Sequence, residues 1–204
     1  MENSLEKLQT LYDRGVRYMT LTHNTSLDWA DSCTGDVLNN GLSEFGIEVV
    51  HKMNKMGMLV DLSHVSADTM RDALVVTKAP VMFSHSSAFA LSSHPRNVPD
   101  DVLLMVKANN GVVMVNFYSG FIVSPEELEK NPEERGDYKL VVDHIEHIAN
   151  VAGIEHVGIG GDYDGVMEMP VGLEDVSTYP LITQELFDRG YTASEIHKVL
   201  GENI

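Results

Sequence analysis

GMLVDLSHVSADTMRDALVVTKAPVMFSHSS, residues 57–87, decides the fold. Met58 to Leu62 (MLVDL) is an apolar run too short for a buried helix and bounded by Gly57, so it reads as a strand. Ser66 then opens a helix with Asp68 in its first turn, running to about Thr77. Pro80 to Ser84 (PVMFS) returns to strand. Apolar strands separated by a helix specify parallel β/α units, which need both sheet faces buried.

The same rhythm extends in both directions. Upstream, Leu5, Leu8, Leu11 and Tyr12 share one face of a predicted helix over Ser4–Arg14. Val16 to Thr22 (VRYMTLT) is a strand, His23 to Asn40 a polar loop, and Glu44 to Lys55 an amphipathic helix closed by Gly57. Downstream, Pro99 and Asp100 start a helix through about Ala108, and Gly111 to Phe117 (GVVMVNF) is the fourth strand. Tyr138 to Ala152 is a helix, His156 to Gly160 (HVGIG) the fifth strand, and helices follow over Ser177–Arg189 and Thr192–Leu200. Ser124 to Gly136, acidic and Pro-containing, reads as a surface loop. The expectation is an α/β chain with five β/α units in one domain spanning residues 1–204.

Composition narrows the function. A formal net charge of −17 opposes binding to nucleic acid or anionic membrane, since both need basic surface. No apolar run approaches the roughly 20 residues of a membrane helix, and neither end carries the pattern of a signal peptide or a lipid-anchor tail. Cys33 is the only cysteine, so no intrachain disulfide forms. The nine histidines are the first pointer to metal or acid–base chemistry.

The position of the ionisable residues carries more than their number. Four of the five strands run into a loop that begins with one: His23 after TLT, His64 after VDLS, His85 after VMFS, Asp162 after GIGG. In a β/α barrel the active site lies at the carboxyl ends of the strands, where these residues would converge. His64 and His85 are then a candidate metal pair, since a catalytic metal draws imidazoles from separate strands; satisfied structural histidines are the plainer alternative. Asp162 and Asp164, in GGDYDG, offer carboxylates for a metal or for proton transfer, or simply cap a turn. Arg96 sits in SSHPRNVPD between two stiffening prolines and could clamp a carboxylate; the plainer reading pairs it at the surface with Asp100 or Asp101. His144, His147 and His156 read as structural or solvent-facing, and Trp29 as either pocket wall or packing.

Taken together, several stretches resemble the membrane (renal) dipeptidase family of metallopeptidases. They are GVRYMTLTHNTSLDWADS (15–32), GMLVDLSHVS (57–66), APVMFSHSSAFAL (79–91), HPRNVPDD (94–101), HVGIGGDYDGV (156–166) and GLEDVSTYPLI (172–182), all in consistent order. The resemblance implies a (β/α)8 TIM-type barrel hydrolysing dipeptides with two zinc ions bridged by a water or hydroxide. It implies that His64 and His85 bind one zinc and that Asp162 handles the water's proton and contacts substrate. By the same resemblance His23 contacts substrate and steadies the tetrahedral intermediate, and Arg96 binds the substrate's C-terminal carboxylate.

The resemblance also shows what is missing. The His-x-Asp pair and bridging glutamate of the family's other metal lie upstream of the segment matching Met1. The chain is therefore expected to be an N-terminally truncated barrel of about five β/α units with two open sheet edges. Members in animals are lipid-anchored homodimers at the cell surface or extracellular; here a homodimer and an anchor are expectations for the full-length protein alone. Two other outcomes are compatible with the residues: an inactive remnant binding metal weakly or not at all, and a metal-free β/α protein.

Overall fold

The structure, a computed structural model, describes residues 1–204. Five parallel strands form one open sheet in chain order: β1 (Tyr18–Thr20), β2 (Leu59–Asp61), β3 (Met82–Phe83), β4 (Val112–Val115) and β5 (Val157–Ile159). The register runs Tyr18 opposite Leu59, Asp61 opposite Met82, Met82 opposite Val112, and Val113 opposite Val157. Sequential order with every connection a crossover is the topology of a β/α barrel wall. β1 and β5 each have a single neighbour, so the sheet keeps two open edges.

The crossovers are α1 (Leu5–Asp13) before β1, α2 (Glu44–Met56), α3 (Ala67–Val76) and α4 (Asp100–Asn109), then α5 (Ser119–Ile122), α6 (Pro125–Lys130) and α7 (Tyr138–Val151) before β5. α8 (Tyr179–Asp188) and α9 (Ala193–His197) follow. Their starts are written locally. The hydroxyls of Ser4, Ser43 and Ser66 each accept a backbone N–H from the first turn of α1, α2 and α3, filling donors a helix leaves unpaired. Gly57 closes α2 at φ 73°, a left-handed backbone that costs a residue without Cβ little.

The core lies on one side of the sheet. Val60, Phe83, Val113 and Val115 are fully buried against Met70, Ala73, Leu103, Val106, Ile145 and Ile148 of the covering helices. Each such side chain contributes about 1.5–3 kcal/mol of burial. Residues of the alternate register face the other way, and there Tyr18 is 52 % and Leu59 41 % exposed. The expectation that the strands are buried on both faces therefore fails at β1 and β2, where the inner face of the curved sheet has nothing packed on it.

Several boundaries also differ from the reading of the sequence. The first and fourth strands pair only over Tyr18–Thr20 and Val112–Val115, and His23 and Asn116 lie just beyond their carboxyl ends. Ser124–Gly136 is not wholly loop: Ser124 and Glu127 form a reciprocal capping box that starts α6, with Pro125 in its first turn. The helix expected over Ser177–Arg189 begins as a 3-10 turn, Val176–Thr178, capped by Asp175, and becomes α8 at Tyr179. The helix expected over Thr192–Leu200 ends at His197 and continues as a wide π turn, Lys198–Glu202. No helix is long and apolar enough to cross a membrane.

Candidate active site

The four side chains expected at strand ends, together with Arg96 from the loop after the third strand, meet at the carboxyl rim of the sheet. The Nε2 atoms of His64 and His85 lie 2.9 Å apart. Asp162 Oδ2 is 4.0 Å from His85 Nε2. The His23 ring stacks on His64 with centroids 4.3 Å apart. Arg96 joins them across a cleft of about 630 Å³ shared with His23, His64 and Asp162. A second cleft of about 580 Å³, over the exposed inner face of the sheet, adds Asp61, Ser84 and His85.

Local backbone geometry aims these groups. His64 and Asp162 both adopt left-handed conformations, φ 71° and 59°. For residues with a Cβ such conformations are costly and persist where surrounding structure enforces them, which happens most often at functional sites. At His64 the enforcement is visible: its carbonyl accepts from Cys33 N at 2.9 Å and from the buried Ser32 hydroxyl at 3.3 Å. Gly160 lets the fifth strand approach the third, since a Cβ there would lie 2.0 Å from the Ser84 carbonyl oxygen.

Both imidazoles are held from behind. His64 Nδ1 faces Asn24 Oδ1 at 3.2 Å, and His85 Nδ1 faces the Ser84 hydroxyl at 2.7 Å. Burial lowers the pKa of both below the usual histidine value, to about 3 for His64, and the nearby Arg96 charge adds to the effect. Neutral rings with their outer nitrogens facing one point are what a metal ligand pair requires. His64 and His85 are the residues that would hold a metal ion. The residues present therefore fit half of a metal site. No group of three or more His, Cys, Asp or Glu side chains is arranged to hold a metal ion, so further donors would have to come from elsewhere.

Arg96 is not the surface arginine of the plainer reading. It is 3 % exposed, and burial pulls its pKa down. Asp101 pairs instead with Arg71 at 2.8 Å, and Asp100 with His147 at 2.8 Å. Arg96 donates only two long hydrogen bonds, to Ser86 Oγ at 3.4 Å and His85 O at 3.3 Å, and its guanidinium lies over the Phe121 ring. Arg96 is one of the residues lining the cleft.

The sequence reading missed three contributors. The fourth strand, which carries no charged residue at its end, supplies Asn116: fully buried, it donates from Nδ2 to Asp162 Oδ2 at 3.0 Å. Asp61 and Ser84 stand behind His85, with Ser84 Oγ 2.6 Å from Asp61 Oδ2. A polar residue at a buried strand position was the available signal, since such groups are retained only with partners. Asp164 lines neither cleft. His144 is fully buried: its Nδ1 accepts from Ala88 N at 3.0 Å and its Nε2 donates to Ile122 O at 3.1 Å. His156 Nδ1 donates to Gly111 O at 2.9 Å. Trp29 packs in the core, its indole N–H donating to Asn3 Oδ1 at 3.0 Å.

A parallel β/α sheet with imidazoles, a carboxylate and a buried arginine gathered at its carboxyl rim has the layout of a β/α-barrel protein with its candidate site at the strand ends. Comparison with known proteins fixes which one. The membrane dipeptidase family, peptidase family M19, is matched over residues 1–204, and the chain belongs to that family. It is 50 % identical over 208 residues to "Uncharacterized dipeptidase C965.12" of Schizosaccharomyces pombe, covering 100 % of this chain and 49 % of that protein. The chain thus spans about half the length of the curated relatives it matches. Among solved structures it is similar to the probable dipeptidase PvdM of Pseudomonas aeruginosa, with TM-score 0.87, 26 % identity, and coverage of 98 % of this chain and 64 % of that one. It is also similar to a metallo peptidase of Rhodobacter sphaeroides liganded with a phosphinate mimic of the dipeptide L-Ala-D-Ala, with TM-score 0.87 and 27 % identity. That match covers 98 % of this chain and 57 % of the other. The fold expectation, an α/β chain forming part of a dipeptidase barrel, is borne out.

Proposed function

We propose that this chain is the C-terminal part of a zinc-dependent dipeptidase, supplying one metal half-site and the residues that bind and process a dipeptide. The observation that carries the proposal is the 2.9 Å approach of two neutral, back-supported Nε2 atoms at adjacent strand ends. In this reading His64 and His85 hold zinc, whose chemistry is to acidify a water and polarise a carbonyl.

The other roles follow from position and chemistry. Arg96 receives the dipeptide's C-terminal carboxylate, since a desolvated guanidinium with free N–H donors gains more from a carboxylate than an exposed one does. It thereby sets the distance from chain end to scissile bond, which favours substrates two residues long. Asp162 takes the attacking water's proton at Oδ2 and returns it to the leaving amine nitrogen, with Asn116 holding the carboxylate in place. His23 donates an imidazole N–H to the oxyanion that develops on the scissile carbonyl.

One observation favours a second reading for the isolated chain. With no third protein donor beside the two imidazoles, this chain alone would bind zinc weakly and turn over little. Zinc titration by calorimetry on the chain and on His64→Ala, with L-Ala-D-Ala hydrolysis followed in parallel, separates the cases. Zinc binding that His64→Ala abolishes supports the metal half-site, and hydrolysis that depends on it supports the enzyme. Equal zinc affinity in both proteins would refute the assignment.

A further inference from the structure

Behind the paired imidazoles, three side chains from two strands form a hydrogen-bonded line that is buried at Asp61 and half-buried at Ser84 and His85. Asp61 lies at the end of β2 and is 2 % exposed. Its Oδ1 accepts the backbone N–H groups of Ser63 and Ser84, each at 3.0 Å, and its Oδ2 lies 2.6 Å from Ser84 Oγ. The Ser84 oxygen is in turn 2.7 Å from His85 Nδ1.

Hydrogen-bond donors and acceptors allow one arrangement of protons along this line. A carboxylate taking two backbone N–H groups on one oxygen is an acceptor, so at 2.6 Å the short contact to Oδ2 is made by the Ser84 O–H donating. A serine hydroxyl has one proton. Once that proton points at Asp61, Ser84 Oγ offers only lone pairs to His85. His85 Nδ1 must then carry a proton and donate it. A neutral imidazole with Nδ1–H has its lone pair on Nε2, the atom 2.9 Å from His64 Nε2.

We infer that Asp61 and Ser84 are positioning residues that fix the Nδ1–H tautomer of His85 and so present its Nε2 lone pair to the metal. The line serves as the outer support that ligating histidines generally need, with a hydroxyl interposed between carboxylate and ring. Ser84 and Asp61 line the second cleft but not the one that holds Arg96, and their hydrogen bonds reach the imidazole pair through His85. The inference rests on His85 being a metal ligand, but the tautomer exists whether or not metal is present.

Two measurements on the full chain keep those statements apart. Nitrogen-15 NMR of the metal-free protein at pH 8 reads the His85 tautomer by its one-bond and two-bond ring couplings. Wild type is expected to show Nδ1–H, Ser84→Ala to show mixed or Nε2–H signals, and Ser84→Thr, which keeps the hydroxyl, to restore Nδ1–H. Ser84→Ala leaves the Ser84 backbone N–H bond to Asp61 in place; amide chemical shifts outside the rim report whether the fold is kept. Zinc affinity, by competition with a chromophoric chelator, is expected to fall about 10–100-fold in Ser84→Ala and to recover in Ser84→Thr. An unchanged Nδ1–H tautomer in a folded Ser84→Ala overturns the relay, whatever the zinc result. Should Ser84→Ala fail to fold, Nε2–H in the wild-type or Ser84→Thr spectrum overturns it equally. A tautomer that switches as expected while wild-type zinc affinity is absent overturns the metal reading instead and leaves the hydrogen-bond line standing.

Discussion

His144 makes the fold sensitive to acid in a way that one substitution isolates. The side chain is fully buried under α7, where it ties Ala88 N, in the loop after β3, to Ile122 O at the end of α5. Burial lowers its pKa to about 4, against small opposing effects from the Ile122 carbonyl and Asp143. The unfolded chain, with a histidine pKa near 6.5, binds a proton that the folded chain refuses between those values. Stability from this group is therefore complete above about pH 6.5 and is lost as pH falls toward 4. The difference of about 2.5 pH units sets an upper scale of roughly 3 kcal/mol. His144→Gln keeps one donor and one acceptor but cannot titrate. Urea unfolding of both proteins at pH 7.5 and pH 4 is the assay. His64, His85 and His94, whose pKa values are also lowered by burial, act in the same direction in both proteins and cancel in the comparison. Wild type is expected to lose about 3 kcal/mol more than the variant over that interval. A gap between the two proteins that stays constant to within about 0.5 kcal/mol would refute the reasoning, because linkage permits no other outcome for a buried neutral histidine.

Three further outcomes follow from single contacts. Arg96→Lys should weaken binding of a dipeptide phosphinate about tenfold or more, read by calorimetry, because a lysine ammonium cannot reproduce a bidentate guanidinium grip. Gly160→Ala should destabilise the chain by about 3 kcal/mol in urea unfolding, since its Cβ would meet backbone oxygen of Ser84 rather than a yielding side chain. Arg189 bridges Asp143, Glu146 and Glu185 between α7 and α8, so Arg189→Met should cost about 1–3 kcal/mol and leave three carboxylates facing one another; added salt should narrow the gap by screening them.

The sheet was legible because short apolar runs and capped helix starts are local signals, and each of the five strands came from a run bounded by glycine, proline or serine. The rim residues were legible for a topological reason: parallel strands put every carboxyl end on one side. His23, His64, His85 and Asp162 could be gathered from positions alone, without a contact map. What escaped the sequence was polar and buried. Asn116 sits in an apolar run where it reads as a strand end, and Asp61 interrupts MLVDL as if it were a surface position on an alternating strand. Their meaning depends on neighbours from other strands, Asp162 for the first and Ser84 with His85 for the second. Sequence patterns carry no information about such pairings. The plainer reading of Arg96, a surface pairing with Asp100 or Asp101, fails for a related cause: both are near in sequence, but Pro99 starts a helix that turns them toward His147 and Arg71.

The same geometry explains why the chain's inner face is unlike its outer one. Outward-facing strand residues are Val and Phe under a complete layer of helices. Inward-facing ones include Tyr18, Thr20, Asp61 and Ser84, polar or amphipathic groups over a cleft. A sheet selected to stand alone would bury or charge its edges, whereas β1 presents Tyr18 and its neighbour Leu59 half-exposed. Polar residues placed deep on that face, with their hydrogen bonds already satisfied by Ser63, Ser84 and His85, are organised around the rim and not around the packing of the core. On the proposed reading, a metal pair and a carboxylate-binding arginine at the rim of such a face suit a surface that further polypeptide would cover.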